Sequence, residues 1–284
     1  MYRFSQQARS IVAHTAGSNY VIKHILLKAM NYKGINYDIG TKTLKGGLTR
    51  EMFDLDIVAR EIAIIKNELH CNAIRISGVD IERISNAAEI ALKVGLTVLF
   101  SPSLHYESQE KTLQYFFQAA EAAEKLRAQY SSLIFVAGCE LSFFTEGFVK
   151  GETGTERMNN IFSPLSLLKN MLGLTRTYNK LLNKFLKFEI DELRKRFKGK
   201  ITYASGTWEK VNWDLFDIVG IDHYRSSFNK TTYVTELRKY QQIGKPLIIM
   251  EFGCCAYKGA DDKGAIGWAI VNWQKDKPEL KGEY

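Results

Sequence analysis

The stretch LIIMEFGCC, Leu247 to Cys255, sets a carboxylate at the end of an apolar run and follows it with Phe-Gly and two cysteines. Four apolar residues in succession before Glu251 read as a strand buried on both faces, the pattern of a parallel sheet covered by helices. An ionised carboxylate at the end of such a strand costs several kcal/mol unless it is paired or used. Glu251 therefore calls for a partner, a proton or a reaction.

Outward from this stretch the same pattern repeats. Strands are predicted over Lys33–Asp38, Asn72–Ser77, Leu96–Pro102, Leu133–Glu140, Ile201–Ser205, Asp217–Asp222 and Pro246–Glu251. Between them lie amphipathic stretches at Met52–Leu69, Asp80–Val94, Lys111–Gln129, Tyr178–Phe197 and Thr232–Ile243, two of them stopped by Gly95 and Gly244. Strands alternating with helices predict a doubly wound sheet or a (β/α)8 barrel. No strand is followed by GxGxxG or GxxxxGK[ST], which removes the best evidence for a nucleotide-binding sheet.

The distribution of polar residues favours the barrel, because a barrel builds its site at the C-terminal ends of its strands. Tyr37 and Asp38 close the first strand and Arg75 the second, and His105 follows the third. Glu140 ends the fourth, Trp208 and Glu209 follow the fifth, Asp222, His223 and Tyr224 close the sixth, and Glu251 ends the seventh. Trp208 is read as an aromatic stacking platform at the pocket and Trp213 as core. His105 and His223 are each read as a pocket lining or a satisfied structural histidine. Tyr37 and Asp38 are rim candidates, and Asp222 is expected to pair with Arg225.

The chain has 284 residues, 45% of them hydrophobic, enough for one sizeable core. Its net charge of +8 is spread over helix faces such as Leu193–Lys200 rather than gathered with aromatics, so nucleic acid is not an expected partner. Cys71, Cys139, Cys254 and Cys255 lack the spacing of a metal site or a disulfide framework, so no metal and no cofactor is expected. The N-terminal apolar residues are interrupted by His14, Asn19, Lys23 and His24, so neither a leader nor a membrane span is read, and the expected location is the cytoplasm. One domain over 1–284 is expected, with a helical extension over 1–30 and a long insertion over 141–177 that forms a lid or wall over the face where the strands end, or else a helix pair. The oligomeric state is open.

Glu140 and Glu251 at strands four and seven resemble the acid/base and nucleophile of the retaining glycoside hydrolases of clan A. NAIRIS is similar to that clan's second strand with its Arg, SPSLHY to its third, GIDHY to its sixth and MEFG to its nucleophile strand. KGINYDIGT, HCNAIRISG and GCELSFF together resemble bacterial barrel proteins described as abortive infection proteins. The resemblance implies a (β/α)8 TIM barrel acting on a carbohydrate. Glu251 would attack the anomeric carbon, with Arg75 keeping it ionised and Tyr224 bonded to it, and Glu140 would hold its proton to a higher pH. One position departs from the clan's pattern: Cys139 stands where its members carry an Asn that contacts the sugar. A non-catalytic carbohydrate-binding or phage-defence barrel is the alternative. Only 33 residues follow Glu251, scarcely enough for a helix and an eighth strand. Ile266–Trp273 is the strand-like candidate, and a barrel open between strands seven and one is expected.

Overall fold

The computed structural model describes residues 31–43, 47–165, 177–255, 257–265 and 267. From Tyr32 onward they form one unit. The strands are β1 Gly34–Asp38, β2 Ala73–Gly78, β3 Thr97–Pro102, β4 Leu133–Cys139, β5 Lys200–Ala204, β6 Val219–Asp222 and β7 Leu247–Glu251. The helices are α1 Leu55–Asn67, α2 Ile81–Lys93, α3 Gln109–Gln129, α4 Leu141–Phe144, α5 Gly154–Phe162, α6 Thr177–Arg196 and α7 Tyr233–Gln241. All seven expected strands and all five expected helices form, each within a few residues of the bounds read from sequence. The expected helical extension over 1–30 lies outside the described residues.

The first three helices begin where the sequence supplies a cap. Asp54 accepts from the backbone N–H groups of Asp56 and Ile57, Asp80 from Glu82 and Arg83, and Ser108 from Lys111. Each cap of this kind stabilises a helix by about 1 kcal/mol. Strands β1 to β5 pair in parallel in chain order, and β6 pairs in parallel with β7. The two groups meet at β5 and β6, where Ser205 bridges Ile221 in parallel and Asp222 N–H donates to the Ser205 carbonyl at 2.9 Å. Gly220 permits this approach, since a Cβ there would lie 2.3 Å from the Tyr203 carbonyl oxygen.

Alternation along the strands divides the core in two. Ile74, Ile76, Val98, Phe100 and Phe135 face outward into the layer shared with Val58, Ile62, Ala88, Phe116, Leu186 and Leu193. Ala73, Leu99, Ile134, Val136, Ala204, Ile218 and Met250 fill the interior. The same register carries Arg75 inward, two residues beyond Ala73. The fold is that of a (β/α)8 barrel, and among the described residues it is not closed: no backbone ladder joins β7 to β1. A side chain spans part of the gap, Asn36 Nδ2 donating to the Met250 carbonyl at 3.0 Å. Ile266 and residues 268–273 of the candidate eighth strand lie outside the described residues. Among the described residues, no helix is long and apolar enough to cross a membrane.

Helix α6 carries an anomaly on its packed side. Leu182, Phe185, Leu186, Ile190 and Leu193 are buried as their spacing requires, and Leu181 is exposed. Glu189 shares the buried face, fully enclosed, and neither carboxyl oxygen has a hydrogen-bond partner among the described residues. Burial holds this carboxyl well above the usual carboxylate range. An acid whose pKa is raised on folding binds more protons folded than unfolded, so it costs stability as pH climbs from about 4.3, the unfolded value, through the folded one. Glu189→Met is therefore expected to raise stability at pH 7 by roughly 1–3 kcal/mol, the usual cost of an unsatisfied buried polar group. The gain should shrink toward pH 4. Thermal unfolding of both proteins at the two pH values checks this, and a variant no more stable than the parent at pH 7 contradicts it.

Candidate active site

The ends of β2, β4, β6 and β7 bring four side chains around Glu251. Arg75 NH1 donates to Glu251 Oε1 at 3.0 Å, and Tyr224 donates its hydroxyl to Oε2 at 2.9 Å. Arg75 is itself buried and donates from Nε to Ser101 Oγ at 3.1 Å, so its fork is held from β3. Cys139 Sγ lies 3.6 Å from Asp222 Oδ2 and 3.7 Å from Glu251 Oε1. Both β4 and β6 shift register just before these residues, between Val136 and Cys139 and between Ile221 and Asp222. Such irregularities re-aim side chains at barrel rims.

Asp222 was expected to pair with Arg225. Instead it is buried to 3% exposure beneath this cluster, with Oδ1 unpartnered among the described residues. Burial first, then the charge of Glu251, holds its carboxyl well above the usual range. Cys139 is affected likewise: burial, followed by Asp222 and Glu251, pushes the thiol up, so it stands as S–H.

Glu140 follows β4 directly and adopts a left-handed backbone, φ 46° and ψ 43°. For a residue other than glycine this conformation costs about 1–3 kcal/mol and persists where the surroundings impose it. Here Glu140 N–H donates to the Ala204 carbonyl, Leu141 N–H to the Tyr203 hydroxyl and Ser142 N–H to Glu209 Oε1. Glu209, named in the sequence reading only as a residue following the fifth strand, is a buried support accepting also from Tyr203. Burial pushes its carboxyl up to about 7, against the lowering effect of these bonds. Glu140 sits well above the usual carboxylate range, through burial first and then the charges of Asp222 and Glu251.

Glu140, Cys139, Arg75 and Glu251 line a cleft of about 260 Å³ together with Tyr37, Asp38, His105 and Phe144. His105 stacks on Phe144 with ring centroids 4.0 Å apart. Its Nδ1 donates to the Lys42 carbonyl, which can only accept, so Nε2 accepts from Ser103 Oγ at 2.7 Å. Tyr37 sends its hydroxyl away to Glu61 at 2.5 Å and receives Arg50 NH1 at 3.0 Å. Asp38 accepts from the Gly40 and Thr41 N–H groups and so shapes the turn after β1.

Tyr224 reaches Glu251 from outside this lining, and Trp208 and His223 stand apart from it. The Trp208 indole N–H is engaged by Ser142 Oγ at 3.0 Å, and its ring packs edge-on to Phe162. His223, one residue beyond inward-facing Asp222, turns outward, stacks on Tyr233 of α7 and lies 3.4 Å from Glu236. A larger cleft, about 460 Å³, opens near the N-terminal ends of β3, β4 and β5. Its two arginines are engaged, Arg194 by Asp217 and Arg127 by Glu124.

No family model matches the chain, and no curated protein matches it. Among solved structures it is similar to GH113 β-1,4-mannanases. One superposes with a TM-score of 0.54 at 15% identity, over 88% of this chain and 78% of that one. The GH113 β-mannanase from Alicyclobacillus acidocaldarius in complex with ManMIm superposes at 0.52 and 15% identity, over 81% and 73%. At this identity the likeness bears on the fold, and it places the chain among (β/α)8 barrels. The abortive infection likeness finds no support among these matches.

Burial lowers the pKa of His105 to about 4, against the smaller effect of its bond to Lys42. Its ring is then neutral at any pH well above that value. An NMR titration should show one histidine whose ring shifts stay flat from pH 5.5 to 8 and which disappears in His105→Gln. A His105 inflection near the ordinary pKa of about 6.5 would contradict the burial seen here.

Proposed function

We propose that the chain is a retaining glycoside hydrolase or transglycosidase acting by double displacement. The observation that carries this is the unequal environment of two carboxyl groups lining one cleft. Glu251 is bonded to a guanidinium and a phenol, whereas Glu140 faces Asp222 and Glu251 and is held above the usual carboxylate range. Two carboxyls in such unlike surroundings divide into nucleophile and acid. In the first step Glu251 attacks the anomeric carbon while Glu140 passes its proton to the leaving oxygen. In the second, Glu140 takes a proton from water, which attacks the anomeric carbon and releases Glu251. The fold likeness to β-1,4-mannanases supports this reading and makes β-mannosides the first glycosides to screen. His105, Tyr37 and Asp38 contribute the cleft wall and rim.

A second reading, a carbohydrate-binding barrel without turnover, draws on Cys139. The clan's Asn is absent there, and the thiol is turned to Asp222 and Glu251 instead of offering an amide to a sugar. A cyclitol epoxide or aziridine separates the two, since it esterifies a competent nucleophile and leaves a bystander carboxylate untouched.

With aryl glycosides, Glu251→Gln should lower turnover by about 10³-fold or more and abolish labelling. Glu140→Gln should cost about 10²–10⁴-fold with poor leaving groups and little with dinitrophenyl glycosides, which need no proton. Equal losses with every leaving group would refute the assigned roles. Absence of labelling in the parent protein would refute the enzyme reading.

A further inference from the structure

We propose that Cys139, Asp222 and Glu251 form a binding site for a thiophilic divalent cation, with zinc the fitting ion. The three donor atoms come from β4, β6 and β7 and all lie within 4.8 Å of one another. In a tetrahedral site with Zn–S of about 2.3 Å and Zn–O of about 2.0–2.2 Å, sulfur and oxygen stand about 3.6 Å apart. The two separations here are 3.6 and 3.7 Å. Thiol hydrogen bonds also span such distances, but Cys139 has one proton for two acceptors. Whichever oxygen it serves, the other loses that donor, and Asp222 Oδ1 is buried with no partner among the described residues. A cation serves all three donors at once.

Charge favours the same conclusion. Arg75 is the one cation among the described residues lining the cleft. A Zn²⁺ ion and Arg75 together carry +3, matched by a Cys139 thiolate, Asp222 and Glu251. A buried cluster of this kind is stable when its charges cancel. Arg75 need not leave, because a carboxylate oxygen has lone pairs for both a guanidinium and a metal, and a partner of this sort orients the ligand. The sulfur donor selects zinc over magnesium or calcium. The metal displaces the thiol proton, which passes to solvent. Cys139 and Glu251 both line the cleft, so the fourth position opens toward it.

Binding is independent of the glycosidase reading and is measured without turnover. Metal-free protein titrated with Co²⁺ should develop a thiolate-to-cobalt charge-transfer band saturating at one equivalent, displaced by Zn²⁺ and strengthening as pH rises. The band should vanish in Cys139→Ser, and Asp222→Asn should weaken affinity at least about tenfold. The double variant Cys254→Ser, Cys255→Ser should keep it, with circular dichroism confirming that each variant is folded. X-ray absorption of the zinc-loaded parent, which needs no variant, should show one sulfur per zinc. No band, a band surviving in Cys139→Ser, or two sulfurs per zinc overturns the site. If the glycosidase reading also holds, zinc on Glu251 blocks attack and inhibits turnover. Zinc binding by a protein that has no glycosidase activity in its metal-free form would refute that reading and leave this one standing.

Discussion

One guanidinium organises the upper end of this barrel. Arg75 is carried inward by the β2 register, fixed by Ser101 from β3, and donates to Glu251 on β7. It faces more acid than it can neutralise, since Glu140, Asp222 and Glu251 share its neighbourhood. Removing one partner of a buried ion pair leaves a charge uncompensated at a cost of about 3–5 kcal/mol, whereas the intact pair does little more than repay its own desolvation. Such a centre therefore sets which strand faces which more than it adds to stability. The remaining surplus is met by protons on Asp222, Cys139 and Glu140, which is why burial and neighbouring charge act on all three in one direction.

The apolar half of the barrel makes that polar end possible. Below Arg75 the interior is filled by Leu99, Ile134, Val136, Ala204, Ile218 and Met250, so water is excluded and charges above interact strongly. Glu140 takes its left-handed backbone only because Tyr203, Ala204 and Glu209 secure the three N–H groups from Glu140 to Ser142. Glu209 in turn tolerates burial because Tyr203 and Ser142 donate to it. The support for Glu140 thus comes from β5 and the loop after it, and the support for Glu251 comes from β2 and β6.

Much of this was legible in the sequence. Runs such as LTVLFSP and LIIME are too apolar and too short for anything but strands buried on both faces, and Asp54, Asp80 and Ser108 mark helix starts by their capping chemistry. Strand-end position alone brought forward Arg75, Glu140, Tyr224 and Glu251. Asp222 was assigned to Arg225 because proximity in sequence was the available signal, and the register shifts that aim it at Cys139 leave no trace in residue type. His223 was decidable in principle, since a neighbour of an inward residue on a strand faces outward. Trp208 was not, because the Ser142 that engages its indole lies 66 residues away. Glu189 had a signal that went unused: it stands four residues after Phe185 and four before Leu193, on the face that packs. The centre formed by Cys139, Asp222 and Glu251 spans three strands, and no local spacing could announce it.

The two carboxyls lining the cleft differ by what each strand can offer them. Glu251 ends β7, and the pairing of β6 with β7 sets Asp222 opposite it while Tyr224, two residues on, reaches its far oxygen. Donors arrive from both sides. Glu140 follows β4, whose neighbours in the sheet are β3 and β5, and the groups these supply are engaged elsewhere: Ser101 Oγ accepts from Arg75, and the Tyr203 hydroxyl donates to Glu209. Among the described residues no cation is bonded to it, so a proton is the remaining means of neutralising it in so acidic a neighbourhood. Two identical side chains are thereby given unlike surroundings by sheet order alone.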